Sequence, residues 1–169
     1  MGRRNFEIEA LFDREYAPLV RLAFLLTRNE NIAEEIAMEA FVRALGGWRR
    51  IGSMERPDLY VRRIVVNLCA SSGRRKLTEG RMMLRLRAQT RESYSHTHDD
   101  PSITPALQSL PVRQRACIVL RYFEDRSEAE MAEILSCSVG TVKSQLAKAR
   151  AKLETELRPL VAMEGERDE

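Results

Sequence analysis

Thr141, Lys143, Ser144, Gln145 and Lys148 bring hydroxyls, cations and a carboxamide together within a short stretch of chain. Groups of this kind suit DNA: lysine and serine mostly hold phosphates, whereas glutamine can pair bidentately with adenine in a major groove. Between them Val139, Val142, Leu146, Ala149, Leu153 and Leu157 return every three or four residues, which makes one apolar stripe. Thr141, Ser144, Lys148 and Lys152 therefore occupy the opposite side of an amphipathic helix, with Lys143 and Gln145 toward its edges. Just upstream, Ser127 and Glu130 have the spacing of a capping box that opens a shorter helix. Ser136-Cys137-Ser138 then interrupts the pattern, and Ser138 can cap the next helix. Two short helices around a tight turn, the second with a basic outer face, form a helix-turn-helix whose second helix is the reader. Ser136 sits where such turns favour left-handed backbone angles, at a cost of up to about 1 kcal/mol for a residue other than glycine.

Two further clusters lie in the first half of the chain. Between Arg62 and Arg91 nine cationic residues, among them Arg62, Arg63, Arg74, Arg75 and Lys76, accompany the single acid Glu79. A run so unbalanced is better explained as a track for a nucleic-acid backbone than as solvated charge. Asn67 lies inside it, and its carboxamide can donate and accept at once, as reading an unpaired base requires; the alternative is a helix-ending cap. The second cluster is Glu35, Met38, Glu39 and Val42, which share one side of a helix over Ile32–Leu45. Carboxylates around apolar contacts suit a basic, partly hydrophobic protein partner.

All of these residues must be positioned by helices. Sustained alternating β-branched runs are missing, so the fold class expected is all-α: two small helical domains joined by a flexible linker, the carboxyl-terminal one a helix-turn-helix. The first domain spans 8–76. Its helices start with the stripe Leu11, Phe12, Tyr16, Leu19, Ala23 and Leu26, and continue with Ile36, Ala37, Ala40 and Ala44. Gly46-Gly47 ends the second helix, Trp48 to Arg56 is a loop, and Pro57 opens a third helix to about Ser71. Residues 77–102 turn polar and read as the linker. The second domain spans 103–158, with helices over Ala106–Leu110 and Val112–Phe123 before the helix-turn-helix, whose reader ends near Leu157, ahead of Pro159.

Composition bounds the function. A net charge of +3 is too mild to identify a nucleic-acid partner by itself, so the local clusters carry that inference. Cys69, Cys117 and Cys137 form no CxxC pair and read as reduced, buried thiols. His96 and His98 lack further ligands, so no metal site is expected, and no nucleophile–base set, P-loop or cofactor motif points to an enzyme. No apolar run reaches the roughly 20 residues that span a bilayer, which implies a cytoplasmic protein without membrane insertion.

Four segments in order carry a resemblance: Ala33-Glu34-Glu35-Ile36-Ala37-Met38-Glu39-Ala40-Phe41; Tyr60-Val61-Arg62-Arg63-Ile64-Val65-Val66-Asn67-Leu68 with Arg74-Arg75; Ala106–Arg115 with Leu120-Arg121-Tyr122-Phe123-Glu124-Asp125; and Gly140-Thr141-Val142-Lys143-Ser144. Together they resemble the extracytoplasmic-function (ECF) sigma factors of the sigma-70 family, over about Ile8–Lys76 and Ile103–Arg158. The resemblance implies a dissociable subunit of bacterial RNA polymerase that reads two promoter elements. Glu35, Met38, Glu39 and Val42 would bind the core enzyme. Arg62, Arg63, Asn67, Arg74 and Arg75 would engage the −10 element, with Asn67 and the Trp48–Arg56 segment around a flipped base. Thr141, Lys143, Ser144, Gln145 and Lys148 would engage the −35 element, and Arg121 would either anchor a phosphate there or pair within its domain. Promoter DNA, polymerase core and an anti-sigma factor are the implied partners. The competing class is a stand-alone helix-turn-helix regulator, acting as an operator-binding dimer.

Overall fold

The computed structural model of the chain describes residues 2–83 and 103–165. Among them every regular element is a helix. The order is α1 (Gly2–Thr27), α2 (Glu30–Gly46), α3 (Trp48–Ile51), α4 (Pro57–Met83), α5 (Ile103–Ser109), α6 (Val112–Ile118, running straight into a π-helical turn over Val119–Phe123), α7 (Glu128–Leu135) and α8 (Val139–Gly165).

Helices α1, α2 and α4 pack on one another as the amino-terminal bundle. Asn29 starts α2, its side chain accepting the Ile32 N–H at 3.0 Å. Ala33, Ala37, Ala40 and Ala44 have no exposed surface, so α2 presents a small-residue seam that lets α1 and α4 approach closely. Phe12, Tyr16 and Phe41 close one side as an aromatic group, with Phe12 centred 4.8 Å from each of the others. The carboxyl-terminal half builds its core from Ala116, Cys117, Leu120, Met131, Ile134, Val142, Leu146 and Ala149, all buried. Burial pushes the Cys69 thiol up to about 12 and the Cys117 thiol to about 11, so neither is a ready nucleophile at neutral pH.

Several boundaries differ from the sequence expectation, each for a local reason. The stretch read as a loop from Trp48 begins as the single turn α3, because Trp48 and Ile51 stand one turn apart and bury together. Helix α4 continues past Ser71 and past the domain boundary drawn at Lys76, as far as Met83. The rest of the expected linker, with His96 and His98, lies outside the described residues. Helix α8 passes through Pro159 rather than ending before it, and α1 likewise contains Pro18. Val139, counted in the apolar stripe, is exposed at the first residue of α8.

Local chemistry at the helix-turn-helix follows the spacing. The Ser127 hydroxyl accepts the Glu130 N–H at 3.2 Å while Glu130 accepts the Ser127 N–H at 2.9 Å, which completes the capping box. Ser138 caps α8, accepting the Thr141 N–H at 3.1 Å. Ser136 adopts φ 52° and ψ 48°, the left-handed region, and the Cys137 N–H reaches back to the Ala132 carbonyl at 3.0 Å. Ser136→Gly should therefore raise stability by about 1 kcal/mol, read from urea midpoints at constant slope. A neutral or destabilising result would mean that glycine's freedom in the unfolded chain outweighs the relief.

The two halves are docked against each other. Helix α1 buries Leu22 and Leu25 in addition to its expected stripe, and those two side chains line a cavity of about 480 Å³ together with Val119 and Phe123 of the π turn. Helix α4 packs along α7 and touches α6. The second apolar side of α1 is thus explained by the carboxyl-terminal half, which covers it.

Candidate nucleic-acid interface

On α8 the side opposite Val142, Leu146 and Ala149 is open. Thr141, Lys143, Ser144 and Lys148 are exposed and Gln145 is half-buried, so five of the six residues expected to meet the −35 element lie on accessible parts of α8. Thr141 contacts the Ser138 hydroxyl at 2.9 Å, and Lys143 lies 3.6 Å from Glu128 across the turn, an exposed pair that DNA phosphate can displace at small cost. Lys152 leaves this surface: its ammonium donates to the Ser109 carbonyl at the end of α5. Arg121 is half-buried and donates to the Arg126 carbonyl at 3.1 Å. Its partner is a main-chain oxygen within its own half.

On α2, Glu35, Met38, Glu39 and Val42 all face solvent, with Met38 45% and Val42 57% exposed. Leu45 extends the patch at 57% exposure. Its position three residues after Val42 and seven after Met38 was the signal for it in the sequence. Glu39 accepts from Arg43 at 2.7 Å, so its carboxylate is oriented along the helix.

The residues expected to meet the −10 element divide. Asn67 is exposed in the middle of α4, and the helix running on to Met83 removes the alternative of a terminal cap. Tyr60 lies between the guanidinium groups of Arg50 and Arg63, at 5.4 and 5.5 Å from the ring centre, and accepts from Arg50 at 2.6 Å. Arg50 therefore reaches the same side of α4 as Arg63. Arg74 and Arg75 are on α4 as well.

Arg62, by contrast, is only 2% exposed. It donates to Glu15 at 2.7 Å and to Glu124 at 2.8 Å, with the Asp58 carboxylate 3.7 Å away. Burial works against its charge, but Glu124 and Glu15 more than offset this and raise its pKa. Glu15 is lowered even though burial acts against it, because Arg14 and Arg62 bond to it; for Asp58, Arg56 overcomes burial in the same way. Arg63 spends two donors on the Glu133 carbonyl, at 3.0 and 2.6 Å. Arg56 bridges Asp58 and Glu130, each at 3.0 Å. Arg62, Arg63 and Arg56 thus each join the two halves.

Sequence reasoning missed Glu15, which backs Arg62 from α1, and on the other side of the seam Glu124, the second task of Glu130 and above all Arg115. The Arg115 guanidinium is buried and donates to four carbonyls, those of Leu107 at 2.8 Å, Gln108 at 2.9 Å, Leu110 at 3.0 Å and Leu26 at 2.6 Å. It neutralises the carbonyl ends of α5 and α1 at once. Burial depresses its pKa. Nothing in the sequence distinguishes Arg115 from the surface arginines around it, because its partners are main-chain atoms.

Glu130 serves both the capping box and the seam. The Ser127 N–H outweighs the opposing effect of burial and, with Arg56 and Arg126, holds its carboxyl at about 2, down from 4.5. A carboxylate depressed on folding contributes stability that is full above 4.5 and lost as pH falls through about 2. Urea midpoints should drop across that window, and Glu130→Gln should flatten the drop. Parallel profiles for variant and parent would remove Glu130 as its source.

Comparison with known proteins supplies the family. Residues 11–78 match the Sigma-70 region 2 model and residues 102–153 the Sigma-70, region 4 model. The RNA polymerase sigma-E factor of Streptomyces avermitilis is 35% identical over 154 residues, covering 89% of this chain and 86% of that protein. The ECF RNA polymerase sigma factor SigM of Mycobacterium tuberculosis is 30% identical over 149 residues, covering 88% and 76%. In fold, the chain is similar to the sigma factor RpoE in its co-crystal structure with the anti-sigma factor NepR from Bartonella quintana, with a TM-score of 0.71 at 21% identity over 89% of this chain and 96% of that one. A second similar fold is CnrH in complex with the cytosolic domain of CnrY, with a TM-score of 0.62 at 21% identity over 90% and 88%. Among the described residues no helix is long and apolar enough to cross a membrane. The capped reader helix, the apolar and acidic side of α2 and these matches along both halves converge: the chain belongs to the ECF sigma factors of the sigma-70 family.

Proposed function

We propose that this initiation subunit, which has no catalysis of its own, binds RNA polymerase core through Glu35, Met38, Glu39, Val42 and Leu45. In that complex residues 8–76 read the −10 element and residues 103–158 the −35 element, with 77–102 as the tether. Asn67 and the Trp48–Arg56 segment take an unpaired base, and Arg62, Arg63, Arg74 and Arg75 hold the adjoining phosphates. Thr141, Lys143, Ser144, Gln145 and Lys148 meet the −35 duplex, while Arg121 braces the turn before α7. The protein works in the cytoplasm, where its polymerase is, and answers to an anti-sigma factor. Support for that last partner is the RpoE fold, solved together with its own anti-sigma factor NepR.

One observation carries the reading: a single chain keeps two solvent-facing surfaces of different character, apolar and acidic on α2, polar and cationic on α8. An operator-binding dimer needs the second, and pairing two copies through the first would set Glu35 and Glu39 against their own kind. Runoff transcription with core enzyme over a genomic promoter library tests the proposal. Discrete promoter-specific transcripts are expected, whereas a DNA shift without any effect on core would favour the regulator. In the same assay Lys148→Ala should weaken −35 binding and reduce its salt dependence by about one phosphate contact, with core binding intact. Unchanged promoter output would take Lys148 out of the interface.

A further inference from the structure

The cavity between α1 and the π turn, about 480 Å³, has the size of a site for a small organic ligand, for which about 300–1,000 Å³ is usual. Its two main walls are both irregular helices. Pro18 of α1 cannot donate to the Arg14 carbonyl one turn back. On the other wall the Glu124 N–H bonds to the Val119 carbonyl, five residues back, and this wide turn brings Val119, Phe123 and Glu124 to the cavity together.

The lining divides into an apolar interior and a cationic rim. Leu22 and Leu25 are buried and share the interior with Val119 and Phe123. Ala17, Pro18 and Arg21 lie on one side of α1 and are all exposed, which places the mouth of the cavity there. Three guanidinium groups border the space, those of Arg21, Arg62 and Arg126. Arg62 and Arg126 both hold Oε2 of Glu124, at 2.8 and 3.5 Å. Arg21 differs from them: among the described residues it has neither an ion pair nor a hydrogen bond. An uncommitted guanidinium beside an apolar recess selects an anion with an apolar body. The Glu124 carboxylate, whose Oε1 is buried without a hydrogen-bond partner, repels a second negative charge at its own end. The charge of such a ligand therefore belongs at the mouth.

We propose that this cavity binds a small carboxylic acid with an aliphatic or aromatic body. Its carboxylate sits on Arg21, and the body lies among Leu22, Leu25, Val119 and Phe123. The surfaces assigned to DNA and polymerase are not required, because Arg62, the one residue shared with them, stays on its own carboxylates. A bound acid touches both halves of the folded chain and neither in the unfolded one, so it raises stability in proportion to its occupancy.

The test uses the full chain alone and three probes of one shape: 4-phenylbutyrate, 4-phenyl-1-butanol and 4-phenylbutylamine. Calorimetric titration reads affinity, and thermal unfolding reads stabilisation. 4-Phenylbutyrate should bind one equivalent with a Kd of roughly 1 mM or below and raise Tm. The alcohol should bind about fivefold more weakly, and the amine more weakly still. Arg21→Ala, at an exposed helical position, should bring the acid down to the alcohol's affinity. Arg158→Ala removes an exposed cation near the end of α8 and should leave all three affinities as they are. Ala17→Trp, which sets an indole over the mouth, should abolish binding of all three. No heat from 4-phenylbutyrate up to its solubility limit would overturn the proposal. Equal affinity for the three probes, tighter binding of the amine, or parental affinity in Arg21→Ala or Ala17→Trp would each do the same.

Discussion

Replacing Arg115 by methionine should cost about 3–5 kcal/mol of folding stability, because it strands up to four buried carbonyls that a thioether cannot serve. Each unserved carbonyl alone is worth roughly 1–3 kcal/mol, reduced wherever water can enter. In a chain of this size the melting temperature should fall by roughly 10 °C. Arg115→Lys should recover only part of the loss, since one ammonium cannot match the planar fork across two helix ends. Thermal and urea unfolding measure both variants. A loss under about 1 kcal/mol would mean that solvent takes over the guanidinium's task.

The second large effect concerns polymerase. Val42→Asp with Leu45→Asp should lower core affinity by about 100-fold or more, a hot-spot-sized loss. Both side chains are 57% exposed in the free chain, so the double variant should fold as the parent does. Pull-down of core by tagged protein, paired with −35 duplex binding by the same samples, separates the two activities. Intact core binding with both aspartates present would remove this side of α2 from the contact.

Much of this was legible beforehand because it is local. The capping box of Ser127 and Glu130, the left-handed Ser136, the cap at Ser138 and the open polar side of α8 each depend on residues a few positions apart, where spacing determines geometry. The solvent-facing set on α2 was legible for the same reason. What stayed hidden depends on partners distant in the chain. Arg62 pairs with Glu15 and Glu124, and Arg115 with the Leu26 carbonyl, contacts that no periodicity encodes. Leu22 and Leu25 of α1 carried a faint trace of the docked half, since a helix covered on one side alone does not need them. Residues 48–51 misled because Gly46-Gly47 reads as a stop, yet a buried Trp48–Ile51 pair is enough to restart one helical turn.

The main-chain character of some seam contacts has a consequence for hybrids made by exchanging the carboxyl-terminal half with that of a relative. Arg63 grips the Glu133 carbonyl and Arg115 the Leu26 carbonyl, so these two fastenings tolerate a change of side chain at the atom they hold. Arg62 with Glu124 and Arg56 with Glu130 need matched residues from both parents. Chimeras carrying the two arginines beside foreign neutral residues should therefore stay associated but with looser registration, and restoring the two glutamates alone should repair the fit.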